Sequence, residues 1–189
     1  MKPFRLYALC DQALLDRSGH TLESFVARCR DRDAEIIQYR NKGADTETVK
    51  KALISLRKLW DCFLIVNDAP ELTLFCDGVH LGQEDLAAID PDPRRALELL
   101  KKQIGSDKLV GLSTHSAEEI AVANGLDLNY IGLGAYRDTG TKAVTQVLGE
   151  RLDDLAADSV HPVAAIGGVR FDDRFEHVTY HVMGSGLLA

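Results

Sequence analysis

In Asp77-Gly78-Val79-His80-Leu81-Gly82-Gln83-Glu84-Asp85, as in Leu64-Ile65-Val66-Asn67-Asp68 upstream, a short apolar run ends abruptly in amides and carboxylates. A strand buried on both faces reads as such a run, and its end delivers polar side chains to one edge of a parallel sheet. Asp68 and Asp85 then fall on neighbouring strand ends, one helix-length connection apart. Two hard oxygen ligands so placed suit Mg²⁺, which takes one or two protein carboxylates and fills its octahedron with water and substrate phosphate. Taken singly, Asp68 before Ala69-Pro70-Glu71 also fits a helix N-cap, and Asp85 a loop acid. As a pair they point to a metal.

The same alternation runs outward in both directions. Strands are expected at Phe4–Cys10, Glu35–Tyr39, Cys62–Val66, Gly78–Leu81, Leu109–Leu112, Leu128–Leu133, Pro162–Ile166 and Thr179–Met183. Helix-period segments separate them: Thr21–Asp31, Thr46–Trp60, Pro70–Phe75, Pro93–Ile104, Ser116–Asn124, Val144–Ala157 and a short one after Phe171. Val49, Leu53, Leu56 and Leu59 mark one helical face, and Trp60 at its end reads as core. Ser116 with Glu119 reads as a capping box. Strands separated by helices pair in parallel through right-handed crossovers. Eight such units close most simply into a compact α/β (βα)₈ TIM barrel, although an open doubly wound sheet has the same local pattern. The last βα unit looks truncated, because the chain stops soon after the eighth strand.

With 189 residues and 46% hydrophobic content, one domain over residues 1–189 is expected. The formal charge of −7 argues against a general nucleic-acid binder, though local cations can still build a phosphate site. Cys10, Cys29, Cys62 and Cys76 form no CxxC pair and read as reduced, buried thiols. Neither a signal peptide nor a long apolar span is visible, so a cytoplasmic protein away from membranes is expected.

The residues following the strands concentrate the chemistry. Gln38, Arg40 and Lys42 alternate, so they can project to one side of the second strand's end. Arginine's planar fork and lysine's point charge suit phosphate oxygens; a basic triplet on a strand end is otherwise usually a solvated edge, but Gln38 follows directly on the apolar Ile36-Ile37. Asn67 and Asp68 follow strand three, Gln83 to Asp85 strand four, and Ser113-Thr114-His115 strand five. Thr139-Gly140-Thr141-Lys142 after strand six offers hydroxyls and backbone N–H groups to an anion, or is simply a turn. Gly167-Gly168 and Gly184-Ser185-Gly186 lie where many barrels bind phosphate through backbone amides. In a barrel all these loops meet on the C-terminal face. His115 can be a base, a ligand contact or a loop-ordering side chain, the last being favoured; His80 reads as structural.

Taken in order, the chain resembles the thiamine phosphate synthase family. The segments that carry the resemblance are Ile36 to Lys42, Leu64 to Asp68, Asp77 to Asp85, Gly111 to Glu119, Tyr130 to Gly134, Thr139 to Lys142 and Ala165 to Val169. Val66-Asn67-Asp68 and His80 to Asp85 are the most specific; the glycine loops recur in many phosphate-binding barrels. The chain departs from the pattern at Arg30-Asp31-Arg32-Asp33, at Ala135 where the family has proline, and in a compressed segment from Gly168 to Ser185.

The resemblance implies a TIM-barrel transferase joining hydroxymethylpyrimidine diphosphate to thiazole phosphate, with Mg²⁺ required and small phosphorylated molecules as partners; oligomeric state stays open. It implies that Gln38, Arg40, Lys42, Asn67 and Lys142 hold the diphosphate, that Asp68 and Asp85 bind Mg²⁺, and that Ser113 contacts the pyrimidine. Arg40, Ser113 and Lys142 would be the catalytic set. Thr139, Thr141, Gly168, Gly184 and Ser185 would hold the thiazole phosphate. The alternatives are a related thiazole tautomerase using His115 as base, and a paralogue that binds phosphorylated ligands without turnover.

Overall fold

The structure, a computed structural model, describes residues 4–138 and 147–188. Its strands are β1 (Arg5–Asp11), β2 (Ala34–Arg40), β3 (Phe63–Asn67), β4 (Gly78–Leu81), β5 (Leu109–Thr114), β6 (Tyr130–Gly134), β7 (Val163–Ile166) and β8 (Tyr180–Met183). They pair in parallel in chain order and close into a barrel. Closure is made by β8 against β1, with Arg5 opposite Tyr180 and Tyr7 opposite Val182. This excludes the open sheet.

The helices are α1 (Gln12–Ser18), α2 (Leu22–Asp31), α3 (Thr46–Leu59), α4 (Gln83–Ile89), α5 (Pro93–Ile104), α6 (Ala117–Ala123) and α7 (Arg151–Ala157). Asp45 caps α3 through the Thr48 N–H, and Asp92 caps α5, where Pro93 starts the first turn. Each buries one stripe: Val49, Leu53 and Leu56 on α3, and Ala96, Leu97, Leu100 and Ile104 on α5. Full burial of each leucine contributes about 1.5–3 kcal/mol. Trp60 is core, and its indole N–H donates to the Phe63 carbonyl.

Strand alternation divides the core in two. Outward residues such as Ile37, Tyr39, Leu64 and Val66 join the helices in the large outer cluster. Inward residues Tyr7, Ile36, Ile65, Tyr130, Ala164 and Val182 form a smaller cluster within the barrel. Gly111 makes room there: a Cβ at that position would lie 2.1 Å from the Tyr130 Cζ.

Several expectations are corrected. Pro70–Phe75 is a 3-10 helix rather than an α-helix, and α1 and α4 were not anticipated. The short helix expected after Phe171 does not form. Its acid Asp173 instead accepts from the Arg170 N–H and from Arg137, while Phe171, Phe175 and Val178 pack as loop residues on the outer core. The helix expected over Val144–Ala157 begins only at Arg151. Leu148 and Gly149 donate to the Ala135 and Tyr136 carbonyls, which ties them to the loop after β6; residues 144–146 lie outside the described residues. Ser116 caps α6, but Glu119 reaches the His115 N–H, so only half of the capping box is present. Cys10, Cys29 and Cys76 are buried free thiols, whereas Cys62 is exposed. After β8 the chain turns into a 3-10 helix, Ser185–Leu187. Among the described residues no helix is long and apolar enough to cross a membrane.

Candidate active site

The C-terminal ends of the strands surround a cavity of about 540 Å³. On one side β2 supplies Gln38 and Arg40, with Lys42 just beyond the strand; all three line the cavity, as the alternation requires. Gln38 is buried and donates through Nε2 to Asn67 Oδ1 at 2.8 Å. Arg40 donates to the carboxylate of Asp11, the last residue of β1, which also accepts from the Leu14 N–H and so caps α1. The guanidinium is thus held from below.

Asp68 follows β3 directly with φ 56°, a left-handed conformation that Asp tolerates better than most residues. Its N–H donates to the His80 carbonyl at 2.9 Å. It caps no helix, since the 3-10 helix at Pro70 has Ala69 in that place. Asp85 is not on a strand end, as expected, but in the first turn of α4, where its Oδ2 accepts the Gly82 N–H at 3.0 Å. A Cβ on Gly82 would stand 2.8 Å from that oxygen, so glycine permits the contact.

Asp68 as a whole residue is exposed, yet its carboxyl faces the cleft and its pKa is raised. Loss of solvent is the largest cause, followed by the charge of Asp85 and a hydrogen bond with it; Asn67 and Arg40 oppose the rise. Two carboxylates crowded in this way are what a divalent cation relieves. Among the described residues no group of three or more His, Cys, Asp or Glu is placed to hold a metal. A cation held by this pair would have to draw further ligands from water and bound oxygens, as Mg²⁺ commonly does.

The opposite rim is glycine-rich. Gly167 and Gly168 have φ 91° and 66°, and a Cβ on Gly167 would lie 2.5 Å from that of Ala135, so the loops after β6 and β7 touch. Arg137 clasps this corner, donating to the Gly168 carbonyl at 2.7 Å and to both carboxylate oxygens of Asp173 at 2.6 Å. Gly184 and Ser185 line the same rim. His115 donates through its backbone to Glu119, and its Nδ1 lies 3.0 Å from that carboxylate, a loop-ordering contact.

The cavity therefore gathers Gln38, Arg40, Lys42, Asn67, Asp68, Asp85, Ser113, Gly168, Gly184 and Ser185. Thr139, Thr141 and Lys142 lie outside the described residues. Sequence reasoning missed Asp11, although it ends β1 by the same rule applied to the other strands. It read His80 as structural only. Its Nε2 is 2.9 Å from Ser113 Oγ and its Nδ1 3.0 Å from the Tyr130 hydroxyl; its inward register on β4 was the available signal.

The family model described as thiamine monophosphate synthase matches residues 6–185. The thiamine-phosphate synthase of Persephonella marina is 34% identical over 170 residues, 87% of this chain and 76% of that protein. The thiamine-phosphate synthase of Lawsonia intracellularis is also 34% identical, over 87% of this chain and 74% of its own length. Among solved structures, a thiamine phosphate pyrophosphorylase from Pyrococcus furiosus superposes with a TM-score of 0.77 at 24% identity, over 98% of this chain and 88% of that one; this likeness speaks to the fold. The chain belongs to the thiamine monophosphate synthase family.

Proposed function

From that membership and the cavity's donor set, we propose that the protein joins hydroxymethylpyrimidine diphosphate to thiazole phosphate, forming thiamine phosphate and releasing diphosphate, with Mg²⁺ required. The observation that carries this reading is the crowded pair Asp68 and Asp85 beside Arg40, Lys42 and Asn67 in one cavity. Carboxylates and cations so close serve a polyanion with a bridging metal better than either ligand alone.

In the reaction the C–O bond between the pyrimidine methylene and diphosphate breaks, and its electron pair leaves on the diphosphate. The electron-rich aminopyrimidine stabilises the resulting cation. The thiazole nitrogen then donates its lone pair to form the C–N bond. No proton has to move, so the site needs charge stabilisation and orientation rather than a strong base. Gln38, Arg40, Lys42 and Asn67 hold the diphosphate oxygens, together with Lys142. Ser113 orients the pyrimidine. Gly168, Gly184 and Ser185, with Thr139 and Thr141, receive the thiazole phosphate. Asp68 and Asp85 would hold Mg²⁺, which when bound neutralises charge on the leaving diphosphate.

The isomerase alternative uses neither a carboxylate pair nor a diphosphate cradle. Incubation of the purified chain with both substrates and Mg²⁺ tests the proposal: thiamine phosphate is the expected product. Binding of thiamine phosphate with no turnover would favour the ligand-binding paralogue instead.

A further inference from the structure

A continuous line of hydrogen bonds runs through the barrel interior from Ser113 to Asp68, and its direction follows from the atoms themselves. The Asn67 amide nitrogen donates to an Asp68 carboxyl oxygen, so Asn67 Oδ1 faces Gln38 and accepts from its Nε2 at 2.8 Å. Gln38 Oε1 therefore faces the barrel axis and accepts from the Tyr7 hydroxyl at 3.1 Å. Tyr7 has one proton and has used it. The 2.8 Å contact between the Tyr7 and Tyr130 hydroxyls must then be donated by Tyr130. With that proton used in turn, the Tyr130 oxygen accepts from His80 Nδ1–H at 3.0 Å. In a neutral imidazole Nε2 is then the acceptor, and the 2.9 Å contact is donated by the Ser113 hydroxyl. Burial raises the pKa of both phenols, so each keeps its single proton.

We propose that this one-way chain holds His80 as its Nδ1–H tautomer and turns the Ser113 proton away from the cavity, so that serine meets the ligand only as a hydrogen-bond acceptor. His80 is thus a positioning residue, and the barrel interior sets the polarity of the site. A ligand presenting an N–H to Ser113, such as a ring amino group, is accepted; one presenting a carbonyl there leaves two acceptors facing each other. The consequence for selectivity rests on the proposed function, in which the aminopyrimidine lies at Ser113. The tautomer does not.

The test is a two-bond ¹H–¹⁵N correlation spectrum of the ¹⁵N-labelled full chain above the imidazole titration range, with His80 assigned by comparison with His80→Gln. The expected pattern is predominantly Nδ1–H. In Tyr7→Phe, Tyr130 loses the acceptor for its proton and can turn it onto His80 Nδ1, so the Nε2–H tautomer should grow although Tyr7 is not hydrogen-bonded to His80. A wild-type His80 that is mainly Nε2–H, or a folded Tyr7→Phe with an unchanged tautomer ratio, overturns the inference. If Tyr7→Phe does not fold, the wild-type spectrum alone decides. In kinetics, Tyr7→Phe should raise the KM for the pyrimidine diphosphate about tenfold and leave that for thiazole phosphate unchanged; an unchanged pyrimidine KM despite a shifted tautomer overturns the link to the ligand. An active transferase with the wrong tautomer sinks this inference alone. An inactive protein with the expected tautomer sinks the proposed function instead.

Discussion

Asp11 and Arg40 form an ion pair at the base of the cavity, with only 5% of the Asp11 side chain and 15% of the Arg40 side chain exposed. Burial on this scale holds the guanidinium in one place, which an exposed pair would not do. In Asp11→Asn the amide oxygen can still accept the Leu14 N–H, so the cap on α1 survives while the charge is lost. Steady-state kinetics should show kcat/KM reduced by about ten- to a hundredfold, because a misplaced charge weakens leaving-group stabilisation. An unchanged kcat/KM would mean that Arg40 needs no support from Asp11.

Arg137 and Asp173 join the loops after β6 and β7 by two hydrogen bonds of 2.6 Å. The Arg137 hydrogen bond holds the Asp173 carboxyl below the usual carboxylate range. Asp173→Asn keeps one acceptor but loses the bidentate ion pair. The KM for thiazole phosphate should rise several-fold while that for the pyrimidine diphosphate stays put. Equal rises in both would place the clasp's effect on the whole barrel rather than on the phosphate rim.

Gly111→Ala drives a methyl group into the Tyr130 ring, which cannot yield without breaking its bonds to Tyr7 and His80. Overpacking of this kind costs about 1–3 kcal/mol. Urea unfolding should show the loss, and activity should fall with it. A variant of wild-type stability would mean that the inner core is looser than the packing indicates.

His181 is buried on the outer face of β8, stacked on Phe4 at 4.1 Å and edge-on to Phe175, and its Nδ1 has no hydrogen-bond partner among the described residues. Burial lowers its pKa, against the opposing effects of the Arg170 backbone and the Asp173 charge. The folded protein therefore binds this proton less readily than the unfolded chain. Its contribution to stability is complete above the ordinary imidazole value and declines as pH falls below it, towards the lowered value. Denaturation across that acid window should show a weaker pH dependence in His181→Leu than in the wild type. Parallel curves would remove His181 as the cause.

The barrel was legible because strand and helix periods alternate so regularly, and the cavity because strand ends carry polar residues. Asp68 and Ser113 were placed on that logic alone. Short elements escaped it: α1 and α4 span seven residues each and begin within two residues of a strand's end, where polar residues read as loop. The 3-10 character of Pro70–Phe75 is not written in its composition, since a proline in the first turn starts an α-helix as readily. Long-range partners were hidden for a different reason. Nothing local in Tyr7, His80 or Tyr130 says that their side chains meet on the barrel axis, because only closure of β8 onto β1 brings them there.

The carboxylate pair is the centre of the proposed chemistry, and Asp85→Asn tests it with little disturbance, since the amide oxygen can still accept the Gly82 N–H. Thiamine phosphate formation should be measured against Mg²⁺ concentration for the wild type, Asp68→Asn and Asp85→Asn. The expected result is a wild-type rate abolished by chelation and a loss of about a hundredfold or more in each variant. Full activity without a divalent cation, or wild-type rates in both variants, would contradict the account.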